Sequence, residues 1–305
     1  MPSFIFFLLR DSEINLASHE TLCLALVRLA LYYRTVLPFN TIAQTQLFMD
    51  TKLQNTHDLP LKAAFGTAIV IGASGALGAA FKKILNTDEA FKSKYSQVLS
   101  LSRQRNSGHL QTIDYGDEST ISQSAAWAAE QCSHAPAQLI IVATGYLHSL
   151  STNGVGPERS IQHLDAAYLK HVMLVNAIGP ALVLKHFAPL LCKTGDVRIA
   201  FISAKVGSIG DNALGGWYGY RASKAALNQI VKTAAIELAR RNKQTLCIAL
   251  HPGTVATKLS EPFSKSGLNV RSPDVAAAEL LQVIHALDSS QTGGFYDYKG
   301  VNLPW

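Results

Sequence analysis

The sequence has few cysteines, and their positions exclude the usual disulfide and metal-binding patterns. The four cysteines among its 305 residues are scattered and include no Cys-x-x-Cys pair. They are therefore expected to be reduced thiols in a reducing compartment, which predicts a cytoplasmic location. The ten histidines also lack metal-ligand spacing, so no metal site is expected.

Charged residues are also few, at 16%, whereas hydrophobic residues make up 48% of the chain. This composition supports a sizeable core and excludes a disordered chain. The net charge of +6 is spread along the sequence. Its densest basic run, Arg240 to Lys243, falls where a helix should end, and cations there interact favourably with the helix dipole. No nucleic-acid partner is therefore expected.

Long uninterrupted apolar runs are missing as well, even from the unusual first 60 residues. The stretch from Leu22 to Leu37 is apolar, but Arg28 and Arg34 interrupt it, so no integral membrane span is expected. Residues 1–60 are predicted to be an N-terminal extension outside the fold. They are either an amphipathic appendage, a segment that targets an organelle, or an upstream stretch translated ahead of a start at Met49.

What the sequence does contain is a glycine-rich turn between a strand pattern and a helix pattern. Thr67 to Ile71 form a short β-branched run, which is typical of a strand buried on both faces. Gly72-Ala-Ser-Gly-Ala-Leu-Gly78 follows at once, and a helical pattern begins within it. Glycines permit a tight turn and let a pyrophosphate approach the backbone, while the helix N-terminus offers unpaired N–H groups. The stretch predicts a dinucleotide site, with an ordinary glycine-rich turn as the alternative.

Strand and helix patterns alternate from residue 65 onward, which predicts an α/β fold with a doubly wound parallel sheet, a Rossmann fold, over residues 61–305. Ligands bind at the carboxyl ends of the strands in such sheets. The predicted strands are 67–72, 97–102, 110–114, 138–144, 197–203, 246–251 and 294–298. The predicted helices are 76–86, 118–132, 165–193, 220–241 and 273–287.

Residues that follow the second, third and fourth predicted strands bear on the cofactor. Arg103 suits the 2′-phosphate of NADP, whereas a carboxylate there would suit NAD; NADP is favoured, NAD remains possible, and a plain surface arginine is the alternative. Asp114 is either an acceptor for the adenine amino group or a turn residue. Ala143-Thr-Gly145 would let the backbone pass close to a cofactor, unless the strand simply ends at a glycine.

A second strong signal is Tyr220-Arg-Ala-Ser-Lys224, whose spacing puts a phenol and an ammonium on one face of a helix. A phenol is a poor acid near neutral pH because its reference pKa is about 10. A nearby ammonium stabilises the phenolate and lowers that pKa. The phenol can then donate a proton to a carbonyl oxygen as a hydride arrives, or accept one in the reverse direction. Trp217 and Tyr218 either line the substrate pocket or pack in the core.

Together these motifs resemble the short-chain dehydrogenase/reductase (SDR) superfamily and, within it, the C-factor and sniffer-like carbonyl reductases. The resemblance covers about residues 66–305. The stretches that carry it are Gly72 to Gly78, Val175-Asn176, Val206-Gly-Ser-Ile209, Gly215 to Lys224 with Ala225-Ala-Leu-Asn228, and His251-Pro-Gly-Thr-Val-Ala-Thr257.

The resemblance implies roles for individual residues. Tyr220 would be the catalytic acid/base, Lys224 would hold the nicotinamide ribose hydroxyls and lower the tyrosine pKa, and Asn176 would anchor a water in a proton relay. Ser203 would hydrogen-bond the substrate oxygen. The predicted cofactor-binding residues are Gly72, Ser74, Gly75, Leu77, Gly78, Arg103, Asp114, Ala143, Gly145, Tyr220, Lys224, Pro252, Gly253, Val255 and Thr257.

The chain departs from the family pattern in three places. Ala76 stands where many members have the middle glycine of the turn. The fourth-strand motif lacks its usual asparagines, so its structural support must come from elsewhere. Ala204 occupies the usual serine slot, which puts Ser203 one residue early and leaves Ser208 as the other nearby hydroxyl.

The function implied by the resemblance is an NADP-dependent oxidoreductase that transfers a hydride between NADPH and a small aldehyde or ketone. It also implies a homodimer or homotetramer. A nucleotide-binding signalling or regulatory protein of the C-factor type, with little turnover, is the alternative. An epimerase or dehydratase acting on a nucleotide sugar is disfavoured, because such a site needs a large C-terminal domain and only about 50 residues follow Pro252.

Overall fold

The computed structural model describes residues 66–103, 111–148, 157–257, 259–260 and 270–305. The predictions for residues 1–60, including a start at Met49 and the boundary of the fold at residue 61, lie outside the described residues.

The central feature is a parallel sheet. The strands are β1 (Gly66–Ile71), β2 (Tyr95–Ser102), β3 (Gln111–Thr112), β4 (Ala137–Val142), β5 (Val197–Ile202), β6 (Thr245–His251), β7 (Thr254–Val255), β8 (Val270–Arg271) and β9 (Phe295–Asp297). Seven of them form one sheet in the order β3-β2-β1-β4-β5-β6-β9, and β7 pairs with β8 separately. The order reverses direction beside β1, which creates a topological switch point between β1 and β4. The predicted Rossmann-type α/β fold is confirmed.

Helices cover both faces of this sheet. They are α1 (Ala76–Thr87), α2 (Glu89–Lys92), α3 (Glu118–Gln131), α4 (Ala166–Met173), α5 (Gly179–Phe187), α6 (Tyr218–Arg241) and α7 (Pro273–Ala286). The helix predicted over 165–193 is observed as one helical stretch, Ala166–Leu190, in which a π-helical turn, Leu174–Ile178, separates α4 from α5 and a 3₁₀ turn follows α5. Pro180 in the first turn of α5 lacks an N–H group, which interrupts the regular hydrogen bonding there.

Two hydrophobic cores result from the alternation of side chains along the strands. Val70 faces the first core, together with Phe81 of α1 and Leu280 of α7. Ile71 faces the second core, which also contains Phe187 of α5 and residues of α3 and α6. Because β1 is buried along its whole length, it is a rigid element that fixes the position of the turn that follows it.

One described helical stretch, Ala166–Leu190, is long and apolar enough to span a membrane, with a mean hydropathy of 1.4. Its Val183 and Phe187 side chains are buried in the second core. Since a core helix passes the same test of length and composition, the stretch is only weak evidence for a membrane span.

Gly78 should be required where α1 crosses the turn after β1. A Cβ at Gly78 would lie 2.2 Å from the carbonyl oxygen of Gly72, whereas a Cβ at Gly75 would meet the same oxygen at 3.4 Å. We expect Gly78→Ala to lower the free energy of unfolding by at least about 2 kcal/mol through overpacking against backbone. Gly75→Ala should cost less than about 1 kcal/mol. Urea unfolding of both variants measures this, and equal midpoints would contradict the close approach.

Candidate active site

The turn after β1 presents backbone N–H groups at the carboxyl edge of the sheet. Gly72 has a φ of +88°, in the left-handed region that glycine adopts without strain. Gly75 is the N-cap of α1, and no side chain caps this helix. Ser74 and Gly75 both line the adjoining cleft. The helix N-terminus can therefore bind an anion in the cleft, as the glycine pattern predicts.

A cleft with two connected parts runs along this edge. The Arg103 part has a volume of about 860 Å³ and the Tyr220 part about 680 Å³, and the two share Ser74, Gly75 and the 143–145 backbone. Predicted cofactor-binding residues line both parts. In the Arg103 part they are Gly72, Ser74, Gly75, Arg103, Asp114, Ala143 and Gly145. In the Tyr220 part they are Ser74, Gly75, Leu77, Ala143, Gly145, Tyr220, Lys224, Pro252, Gly253, Val255 and Thr257.

Gly78 is an exception, because it lines neither part of the cleft. It is buried and packs against the carbonyl group of Gly72 instead. Its role is to allow helix α1 to approach the turn, so its prediction as a cofactor contact is corrected to one of packing.

Arg103 and Asp114, two of the charged residues that line the Arg103 part, differ in their surroundings. Arg103 is exposed at the end of β2. Asp114 follows β3, and its Oδ1 accepts a hydrogen bond from the backbone N–H of Gly116 at 2.9 Å. Asp114 is therefore a turn residue, which was one of its two predicted roles, and it also lines the cleft.

Tyr220 and Lys224 lie one turn apart on α6 and are both buried. The Lys224 Nζ donates to the carbonyl oxygen of Ile202 at 2.9 Å and lies 5.9 Å from the centre of the Tyr220 ring. Burial lowers the pKa of Lys224 to about 7 and raises the pKa of Tyr220. Because burial disfavours the phenolate, the phenol is protonated at neutral pH. The lowering of the tyrosine pKa by Lys224 stays a prediction.

Asn176 connects the end of β4 to the helix that carries Tyr220. Its Oδ1 accepts from the backbone N–H of Tyr146 at 2.7 Å, and its Nδ2 donates to the Tyr146 carbonyl at 2.8 Å and to Ser223 Oγ at 2.9 Å. Ser223 Oγ in turn donates to the carbonyl of Tyr220 at 2.8 Å. Asn176 is fully buried in the π-helical turn and positions the backbone on both sides of the cleft.

The hydroxyl of Ser203 already has a hydrogen-bond partner within the protein. Ser203 is buried, and its Oγ donates to Oδ1 of Asn228 at 2.6 Å, so its proton is directed at α6 rather than offered to a substrate. Ala204 instead packs against the apolar cluster that contains Tyr220. The hydroxyl of Ser208 donates to the carbonyl of Trp305 at 3.3 Å. Ser203 nevertheless lines the Tyr220 part of the cleft, so its hydrogen bond to a substrate oxygen stays a prediction.

Trp217 forms one wall of the Tyr220 part, where its ring lies edge-on to Tyr220 with 6.1 Å between the centroids. Its backbone φ of +55° is left-handed, and Gly215 and Gly216 before it have φ values of +64° and +65°. Arg221 supports this turn by donating to the carbonyls of Gly215, Gly216 and Val206. Trp217 thus lines the pocket and also packs against the hydrophobic cluster that contains Tyr220, whereas Tyr218 is exposed.

Glu158 supports the start of α6 and was missed by sequence reasoning. Its buried carboxylate accepts from the backbone N–H of Gly219 at 3.1 and 3.2 Å, one residue before Tyr220. A carboxylate is favourable at a helix N-terminus because of the helix dipole. The two residues are 61 positions apart, so no local sequence signal identifies the contact.

Comparison with known families agrees with this geometry. The family described as short chain dehydrogenase matches residues 66–267. The chain belongs to this family and is a short-chain dehydrogenase/reductase.

Two curated relatives are similar to part of the chain. The C-signal of Myxococcus xanthus is 34% identical over 142 residues, which cover 47% of this chain and 81% of the relative. The 1-hydroxy-2-glutathionyl-2-methyl-3-butene dehydrogenase of a Rhodococcus species is 33% identical over 142 residues, covering 47% of this chain and 61% of that enzyme. Against the second relative, the match thus spans less than two thirds of its length.

Solved structures share the fold. The carbonyl reductase Sniffer of D. melanogaster has a TM-score of 0.67 and 23% identity, covering 79% of this chain and 99% of that one. The NADPH-bound carbonyl reductase from chicken fatty liver has a TM-score of 0.66 with the same identity and coverage. At this level of identity the likeness establishes the architecture.

The buried amine of Lys224 should make stability depend on pH. Its native pKa is about 7, whereas a lysine in the unfolded chain titrates at about 10.4. Between these values the unfolded state binds more protons, so the free energy of unfolding should rise with pH. We expect urea midpoints to increase more from pH 7 to pH 9 in the wild type than in Lys224→Met. The exposed Lys232 lies on the same helix, and Lys232→Met should keep the wild-type slope. Equal slopes in all three proteins would contradict the shifted pKa.

Proposed function

We propose that this short-chain dehydrogenase reduces aldehydes or ketones with NADPH and that Tyr220 donates the proton. The observation that carries the proposal is the burial of Tyr220 and Lys224 in the same cleft that receives the N-terminus of α1. A proton donor and a dinucleotide-phosphate site then lie along one cavity, which is the arrangement that hydride transfer to a carbonyl requires.

The residues present fit a dinucleotide. A Cβ at Gly145 would come within 3.8 Å of Lys224 Nζ and 3.9 Å of Asn176 Oδ1, so a side chain there would fill the space beside the lysine. Gly72 and Gly75 would hold the pyrophosphate, Arg103 and Asp114 would face the adenosine, and the segment from Pro252 to Thr257 would face the nicotinamide. NADPH, when bound, supplies the hydride.

Tyr220 and Lys224 would then act together on the proton. The protonated phenol is the form that can donate to the carbonyl oxygen as negative charge develops there. The Ile202 carbonyl holds the Lys224 Nζ in place, and the ammonium form would stabilise the phenolate left after proton transfer. Ala204, which stands where the family pattern has a serine hydroxyl, packs against the cluster that contains Tyr220, so Tyr220 would be the donor of the proton.

A second candidate function is signalling with little turnover. The similarity to the C-signal of Myxococcus xanthus favours it, and so does the engagement of the Ser203 hydroxyl with Asn228. Both candidates predict nucleotide binding, and they differ in whether a bound carbonyl compound is reduced.

Replacement of the phenol tests the proposal directly. Tyr220→Phe should lower kcat by at least about 100-fold because the general acid is lost, while leaving NADPH binding within about threefold of the wild type. Tyr218→Phe is a matched control, because Tyr218 is 41% exposed on the same helix; it should keep wild-type turnover. Loss of NADPH absorbance with a panel of aliphatic and aromatic aldehydes and ketones measures the rates. Tight NADPH binding without any turnover would favour signalling, and undiminished turnover in Tyr220→Phe would contradict the assigned donor.

Arg103 should set the preference between the two nicotinamide cofactors. Arg103→Ala removes a cation that the 2′-phosphate of NADPH would contact, so the Kd for NADPH should rise about 10-fold or more. The Kd for NADH should stay within about twofold, because NADH lacks that phosphate. Arg103→Lys keeps the charge and should fall between the wild type and the alanine variant. Fluorescence titration measures these constants, and equal changes for both cofactors would refute the role of Arg103.

A further inference from the structure

Tyr115 links the loops that follow β3 and β4. Its hydroxyl forms a hydrogen bond of 3.1 Å with Oγ1 of Thr144. Burial raises the pKa of Tyr115, so the hydroxyl stays protonated and can donate. Both residues line the Arg103 part of the cleft, next to the expected adenosine.

The ring of Tyr115 packs against Gly179, where only a glycine leaves enough room for it. A Cβ at Gly179 would lie 2.0 Å from Cδ2 of Tyr115 and 2.2 Å from its Cγ, so the ring packs directly against the Gly179 backbone. Gly179 comes immediately after the π-helical turn that contains Asn176. Tyr115 is therefore fixed against the same segment that carries Asn176.

The methyl group of Thr144 contacts the phosphate turn, which is the glycine-rich turn 72–78 after β1. A Cβ at Gly72 would lie 3.0 Å from Cγ2 of Thr144, so the threonine methyl lies close to the first glycine of the turn. The hydroxyl of Thr144 is bound to Tyr115 at the same time. One rotamer of Thr144 thus satisfies both contacts, and the hydrogen bond selects that rotamer.

We propose that Tyr115 is a positioning residue for nucleotide binding, which acts by holding Thr144, and with it the 143–146 backbone, against the phosphate turn. The fourth-strand motif lacks its usual asparagines, and Tyr115 would supply the structural support that those residues give in other members of the family. Asn176 holds the same segment from its other side, through both backbone groups of Tyr146. The segment is therefore clamped on two sides. This inference rests on the proposed binding of NADPH.

A double-mutant cycle on the full chain tests the proposal. Tyr115→Phe and Thr144→Val each remove one hydroxyl while keeping the shape of the side chain. Each should raise the Kd and KM for NADPH about fivefold, because a net hydrogen bond is worth about 1 kcal/mol. The double variant should also show a rise of about fivefold rather than 25-fold, since both changes remove the same hydrogen bond. We expect kcat to fall by less than about twofold, because the contact acts on binding and not on the proton transfer.

Two further variants distinguish a positioning role of Tyr115 from a general effect on the structure. Thr144→Ser keeps the hydroxyl and should restore most of the NADPH affinity lost in Thr144→Val. Tyr218→Phe, the exposed matched control, should leave the Kd unchanged. Unchanged Kd values in the single variants, multiplicative effects in the double variant, or equal losses of kcat and affinity would each overturn the proposal. NADPH binding without turnover would defeat the proposed reductase function and leave the cycle on Kd intact, whereas a wild type that binds no NADPH would overturn both.

Discussion

The hydrogen bonds of Asn176 hold together three backbone segments, and the geometry of the rest of the active site depends on their arrangement. One buried amide joins the backbone after β4, the π-helical turn and Ser223 of α6. Because Ser223 also binds the carbonyl of Tyr220, the position of the phenol is tied to the edge of the sheet rather than to its own helix alone. Buried polar networks of this kind fix one arrangement when all their members are satisfied.

Burial also sets the chemistry of the two titratable residues of the site. Tyr220 and Lys224 have their pKa values shifted in opposite directions by the same cause, since burial disfavours the charged form of each. The phenol keeps its proton, and the lysine titrates near pH 7 instead of staying permanently charged. Groups whose pKa values are moved in this way are typical of functional sites. Burial therefore favours a protonated phenol at Tyr220 beside a lysine whose charge changes near neutral pH.

The sequence allowed the sheet, the glycine turn and the Tyr220/Lys224 pair to be predicted, because each depends on local periodicity or fixed spacing. The helix over 165–193 was predicted without its π-helical turn, Leu174–Ile178, which contains the buried Asn176 and precedes Pro180. The hydroxyl of Ser203 turns to a partner 25 positions away, and Glu158 reaches Gly219 across 61 positions. Such tertiary contacts leave no local pattern. The predicted homo-oligomer and cytoplasmic location stay predictions.

The left-handed turn before α6 has a consequence for how the pocket can change. A non-glycine residue in this conformation costs about 1–2 kcal/mol, and Trp217 adopts it with support from Arg221, which binds three carbonyls around the turn. The direction of the indole is thus set by an arginine that is not part of the pocket wall. Variation at Arg221 offers this chain a route to a differently shaped pocket while every lining residue keeps its identity.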